Sequence, residues 1–155
     1  MDSHLFFEVN GVATFDVKIK NKDPHLPHME ILLIDDNELL LVRLARTIKR
    51  LDENITIYKA INCEEALRSF SQINPELVIL DISLPDGSGI DLLRTMKKEK
   101  PLVKVFMFTD YGTAEFKKCC LELGADRFFE KSHINGLIDS IGLQYKVINN
   151  IQTII

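Results

Sequence analysis

From Glu30 onward, short uninterrupted apolar runs alternate with longer segments whose apolar residues recur every three or four positions. The first run, Ile31-Leu32-Leu33-Ile34, ends in Asp35-Asp36. Residues 38–51 then read as a helix, with Leu41, Leu44, Ala45, Ile48 and Leu51 on one face. Ile55-Thr56-Ile57-Tyr58 alternates, as a half-exposed edge strand should. Asn62 followed by Glu65 predicts a capped helix start, and Ala66, Phe70 and Ile73 line that helix. Leu77-Val78-Ile79-Leu80 is the third strand and ends in Asp81. A turn-rich loop, Ser83 to Gly89, leads into a helix carrying Ile90, Leu93 and Met96. Residues 103–108 form the fourth strand, ending in Thr109. Phe116, Cys120 and Leu123 stripe the fourth helix, which Gly124 terminates. Arg127-Phe128-Phe129-Glu130 is a short fifth strand leading into Lys131, and a last helix beginning near Ser132 carries Ile134, Leu137, Ile138 and Ile141.

Strands this apolar, joined by helices in strict alternation, imply a parallel sheet covered on both faces. Right-handed crossovers then give a doubly wound α/β fold. At this length the expectation is a flavodoxin-like sheet of five parallel strands in the order 2-1-3-4-5, occupying residues 30–142. Two end segments stand outside the alternation. Residues 1–29 carry Phe7, Val9, Phe15, Val17 and Ile19 around Asn10-Gly11, a hairpin signal, followed by a polar linker over residues 20–29 with Pro24 and Pro27. Residues 143–155 continue the last helix or form a tail, and Gly142 weighs against continuation.

Composition narrows the function classes. The 155 residues are 46% apolar and 27% charged, ordinary for a globular domain. Acidic residues outnumber basic ones 23 to 19, which argues against nucleic acid as a partner. The short basic run of Lys97, Lys98 and Lys100 reads as a solvated helix end. Cys63, Cys119 and Cys120 lack metal-binding spacing and fit reduced thiols. Neither a signal peptide nor a membrane-length apolar stretch is visible, so a cytoplasmic protein without membrane contact is expected.

The chemistry is concentrated where the strands end. Asp35 and Asp36 end the first strand, Asp81 the third, Thr109 the fourth and Lys131 the fifth. In a doubly wound sheet these ends converge on one edge, where ligands bind. Crowded carboxylates repel one another, and a hard divalent cation such as Mg²⁺ is the simplest remedy. A carboxylate nucleophile, a cation to offset phosphoryl charge and two donors for phosphoryl oxygens are the parts phosphoryl transfer needs. Each residue alone is ordinary: a strand-terminal Asp is commonly a turn or cap residue. Their joint arrival in order is what carries the inference.

The stretches Ile34-Asp35-Asp36-Asn37, Leu80-Asp81-Ile82-Ser83-Leu84-Pro85-Asp86-Gly87-Ser88-Gly89, Phe108-Thr109, Gly124-Ala125-Asp126 and Phe128-Phe129-Glu130-Lys131 resemble the receiver domain of bacterial response regulators. The resemblance covers residue 30 to about residue 142. It implies that Asp81 is phosphorylated by a histidine kinase or phosphotransfer protein. It implies that Asp36 ligates Mg²⁺, with Asp35 acting directly or through water and the Ser83 carbonyl as a further ligand. Thr109 and Lys131 would hold phosphoryl oxygens. Phe128 stands at the family's switch aromatic position, and the output would be a protein contact made by the face of the fourth helix, fifth strand and fifth helix. Nothing after residue 142 is long enough for a DNA-binding domain. A stand-alone receiver is therefore expected, with a segment of a larger regulator or hybrid kinase as the alternative. The chain would be a regulatory phospho-acceptor and not a metabolic enzyme. The first 29 residues are open to several roles, a homodimer contact among them.

Two positions depart from the family pattern. Ser132 follows Lys131 where the family usually has proline after a cis bond, and it is a candidate helix N-cap instead. Asp110 follows Thr109 where a small residue is usual, and its charge would narrow access to Asp81. Two other classes fit less well. A phosphatase of the haloacid dehalogenase type needs a second Asp where this chain has Ser83. A flavodoxin-like cofactor protein needs a phosphate-binding loop where this chain has Asp35-Asp36-Asn37-Glu38.

Overall fold

The computed structural model describes residues 27–154. The hairpin expected around Asn10-Gly11 lies outside the described residues. Along the chain run β1 (Met29–Ile34), α1 (Glu38–Lys49), β2 (Ile55–Ala60), α2 (Cys63–Ile73) and β3 (Leu77–Leu80). A small antiparallel ribbon follows, Ser83–Leu84 against Gly87–Ser88. Then come α3 (Gly89–Glu99), β4 (Lys104–Thr109), α4 (Ala114–Glu122), β5 (Arg127–Glu130), a 3₁₀ turn at Lys131–His133, and α5 (Ile134–Ile154). The sheet is parallel, in the order β2-β1-β3-β4-β5.

Strand periodicity divides the core. Successive side chains point to opposite faces, so β1 feeds both layers. Leu32 and Ile34 join Val78, Leu80, Val105 and Met107 on one face, under Ala66 and Phe70 of α2 and Leu93 and Met96 of α3. Ile31 and Leu33 join Ile79, Phe106 and Phe108 on the other, under Leu41, Leu44 and Ile48 of α1 and Leu137 and Ile141 of α5. Each of these side chains larger than alanine contributes about 1.5–3 kcal/mol by leaving water. The edge strand β2 alternates only weakly, with Ile55 and Ala60 buried at its ends.

Helix ends follow local chemistry. Asn37 accepts from the Leu40 amide at 3.0 Å and Asn62 from the Glu65 amide at 2.8 Å. Glu65 reaches back to the Ile61 amide at 3.1 Å, one residue before the cap. Gly124 follows α4 at φ 99°, a backbone conformation that only glycine adopts without strain.

Several expectations need correction. Met29, assigned to the linker, is fully buried at the start of β1. Leu51 lies beyond α1 and is 40% exposed, because the helix ends at Lys49. Phe116 is not a core residue: it is half exposed and stacks edge-on with Tyr111, the ring centroids 6.3 Å apart. The basic run is not simply solvated either. Lys97 reaches Val103 O and Asp126, and Lys100 caps the Phe70 carbonyl while lying 4.3 Å over its ring. Helix α5 continues through Gly142, where a Cβ would meet nothing within 4 Å. No helix among the described residues is long and apolar enough to cross a membrane.

Candidate functional site

The sheet's hydrogen bonding runs one residue past β1 and β3. The Asp35 amide donates to Ala60 O at 3.1 Å and the Asp81 amide to Ile34 O at 3.0 Å. That continuation places the two side chains side by side, and both are nearly buried. Asp36 is exposed beside them. One carboxylate oxygen from each of Asp35, Asp36 and Asp81 lies within 4.8 Å of the others. Thr109, fully buried, ends β4 opposite Glu130, so Lys131 emerges just beyond it.

Lys131 closes the group. Its Nζ lies 2.7 Å from Asp35 Oδ2, 3.0 Å from Asp81 Oδ2 and 3.9 Å from Asp110 Oδ2. The described peptide bonds are all trans, Lys131-Ser132 included, and the ammonium reaches Asp81 nonetheless. Burial pulls the Lys131 ammonium down, but its bonds to Asp35 and Asp81 outweigh that and hold it above the ordinary lysine value. Asp35 is pushed above the usual carboxylate range, chiefly by burial, against the opposing pull of Lys131 and of the Asn37 amide.

The second oxygen of Asp81 is the exception. Oδ1 is buried and has no hydrogen-bond partner. A buried carboxylate oxygen left unpaired is costly, and native structures rarely tolerate one without a use. With all three acids ionised, three carboxylates face one ammonium. An oxygen-only, net-negative donor set with an unused oxygen fits a hard divalent cation of the Mg²⁺ type. Thr109 Oγ1 accepts from the Tyr111 amide at 3.2 Å, which occupies a lone pair and not the hydroxyl proton.

The remaining predicted residues are more dispersed. Ser83 opens the ribbon, exposed and paired with Ser88. Phe128 is half-buried against the α2–α3 side of the core, while Phe129 crosses the sheet and meets Phe106 edge-on at 6.0 Å. Asp110 is largely exposed at the rim. Ser132 is not a helix N-cap. It sits inside the 3₁₀ turn, which Glu130 precedes without a side-chain cap, and its hydroxyl lies 3.1 Å from His133 Nδ1. The short turn takes up the geometry that a direct strand-to-helix junction would have required.

Two residues of the stretch after Asp81 have roles that the sequence alone does not show. Gly89 must be glycine, because a Cβ there would lie 1.8 Å from the Asp81 carbonyl oxygen. Asp86 looks like a turn residue but accepts from the Cys63 amide at 2.7 Å and the Glu64 amide at 3.1 Å. Its partners stand more than twenty positions earlier, so no local pattern reveals them.

Comparison with known proteins agrees with this fold. A family model for the response regulator receiver domain matches residues 31–141. The chain is 27% identical over 101 residues to the photosynthetic apparatus regulatory protein RegA of Rhodovulum sulfidophilum, covering 65% of this chain and 54% of that protein. It is 30% identical over 102 residues to the alkaline phosphatase synthesis transcriptional regulatory protein PhoP of Bacillus subtilis, covering 66% and 42%. The chain thus spans about half the length of these relatives. Among solved structures it shares its fold with the receiver domain of a DNA-binding response regulator from Colwellia psychrerythraea, with TM-score 0.72, 21% identity, and coverage of 76% of this chain and 98% of that one. A response regulator protein from Burkholderia pseudomallei, solved with a phosphorylated aspartic acid, a calcium ion and citrate, gives TM-score 0.67 at 22% identity over 81% of this chain and 74% of that one. With the family match spanning most of the described residues, the chain belongs to the response regulator receiver domains.

Proposed function

We propose that Asp81 accepts a phosphoryl group from a histidine kinase or phosphotransfer protein, and that the phosphorylated domain signals by protein contact. The observation that carries this is the partnerless Asp81 Oδ1, buried beside an oxygen already held by Lys131. One oxygen is anchored and the other is left to react. In the step, a P–O bond forms to the Asp81 carboxylate as the donor's P–N bond breaks, and the leaving imidazole takes its proton from water. Lys131 and the Thr109 hydroxyl then hold phosphoryl oxygens. Asp36 and Asp81, with Asp35 and the Ser83 carbonyl, would hold Mg²⁺, which when bound supplies charge neutralisation for the transferring group.

Phe128 would respond as Thr109 moves toward the phosphoryl group, because their strands are neighbours in the sheet. The change reaches the face made by α4, β5 and α5; Phe116 and Leu121 of α4 are exposed, as is Tyr111 just before that helix. Asp110 and Ser132 tune the site from its rim. The same chemistry serves a receiver acting alone in the cytoplasm or one within a larger regulator.

Incubation with acetyl phosphate and Mg²⁺, followed by intact mass, tests the proposal. The wild type gains one phosphoryl group and Asp81→Asn gains none. A label that persists in Asp81→Asn overturns it. So does a wild type that stays unlabelled with acetyl phosphate and with phosphorylated histidine phosphotransfer proteins alike.

A further inference from the structure

The loop after Asp81 is fastened at two points. At one, the Gly89 amide donates to Ile82 O at 2.7 Å, and the glycine packs against the Asp81 carbonyl with no room for a side chain. At the other, Asp86 gives one carboxylate oxygen to the Cys63 amide and the other to the Glu64 amide. Those amides open α2, whose next donor, Glu65 N–H, is already taken by Asn62. The three leading amides of α2 therefore all have acceptors, two of them supplied by a different loop. A carboxylate suits this position because it faces the positive end of the helix dipole and has one oxygen for each donor. The two amides hold the Asp86 carboxyl below its ordinary range, the Cys63 bond most strongly. Close packing accompanies the bonds, since a Cβ at Gly87 would lie 3.0 Å from Cys63 Sγ. Between the two fastenings runs the ribbon that begins with Ser83.

We propose that Asp86 is a positioning residue for cation binding: by tying the loop to the start of α2 it fixes the Ser83 carbonyl, the loop's contribution to the ligand set. This rests on the Mg²⁺ site proposed above. Outer residues that orient ligands typically change metal affinity by ten-fold or more. The test is calorimetric titration of the full, unphosphorylated chain with Mg²⁺, together with amide hydrogen exchange in metal-free buffer. Asp86→Ala weakens Mg²⁺ binding on the order of ten-fold. It also speeds exchange through residues 82–89 as well as at Cys63 and Glu64. Asp86→Asn, with a single acceptor oxygen, falls between it and the wild type. Asn62→Ala is the control: it removes an α2 cap without touching the loop, lowers the melting temperature, and leaves Mg²⁺ affinity within about two-fold, as expected for a cap that only stabilises its helix. If Asp86→Ala binds Mg²⁺ like the wild type, or loses no more affinity than Asn62→Ala, Asp86 is only a second helix cap and the inference fails. If the wild type itself binds no Mg²⁺, the proposed cation site fails and this inference with it.

Discussion

Two charged clusters sit at opposite edges of the same parallel sheet. At the amino ends of β4 and β5, Asp126 is shared by Lys97 at 2.9 Å and Lys104 at 3.0 Å, and it also accepts from the Val105 amide at 3.0 Å. At the carboxyl ends, Lys131 is shared by Asp35 and Asp81, and one oxygen of Asp81 has no partner. The first cluster has one acid with two cations, and both its oxygens are bonded. The second has too many acids for its single cation. The fully bonded cluster ties α3 to the sheet. The acid-rich one keeps a buried carboxylate oxygen without a partner, the feature on which the proposed cation and phosphoryl chemistry rests.

The contrast can be tested. Asp126→Ala should show the largest stability loss, about 2–3 kcal/mol, because it leaves the mostly buried Lys97 ammonium with the Val103 carbonyl alone and the Val105 amide without its acceptor. Chemical denaturation would measure this, and phosphoryl labelling of Asp81 should survive the substitution. A next, smaller effect comes from the other end. For a site of ~1 mM affinity, ~10 mM Mg²⁺ stabilises the wild type by about 1.4 kcal/mol, and Asp126→Ala by the same amount. Thermal melts of Asp36→Asn should show little of that gain. If both clusters respond equally to Mg²⁺, the distinction between them collapses.

Acid separates the clusters differently. Burial raises the Asp126 carboxyl, but Lys97, the Val105 amide and Lys104 together bring it below the ordinary range. A depressed folded-state value contributes stability above the unfolded pKa of about 4, which is lost as pH falls through the folded value. The stability gap between wild type and Asp126→Asn should thus be full at neutral pH and shrink below about pH 4, as denaturant midpoints would report. The smallest effect belongs to the rim. Asp110→Ala should be labelled by acetyl phosphate roughly two- to five-fold faster than wild type, the size expected for one exposed charge. Stopped-time mass measurements giving equal rates would remove Asp110 from any role in access.

Much of this architecture is written locally. The strand runs and the acids that end them are legible because apolar periodicity and strand termination are properties of neighbouring residues. That is why the amino-acid order alone assigns Asp35, Asp81, Thr109 and Lys131 to one edge of the sheet. Residues whose partners are distant are not legible in this way. Lys97 reads as part of a solvated run because Asp126 meets it only in three dimensions. Asp86 reads as a turn residue for the same reason. Ser132 misleads in the opposite way: it has a capping residue's chemistry, but the chain winds a 3₁₀ turn through it before α5 begins.

Helix α5 begins three residues after the site ammonium and runs as 21 residues to Ile154. At about 1.5 Å per residue it is a rod of roughly 30 Å. Near its far end Asn149 accepts from the His28 amide at 3.1 Å, where the chain enters the sheet. One helix therefore links the acidic edge of the sheet to the segment leading in from the amino terminus. A tilt of only a few degrees at Lys131 would become a displacement of about 2 Å there, a lever built from a single helix.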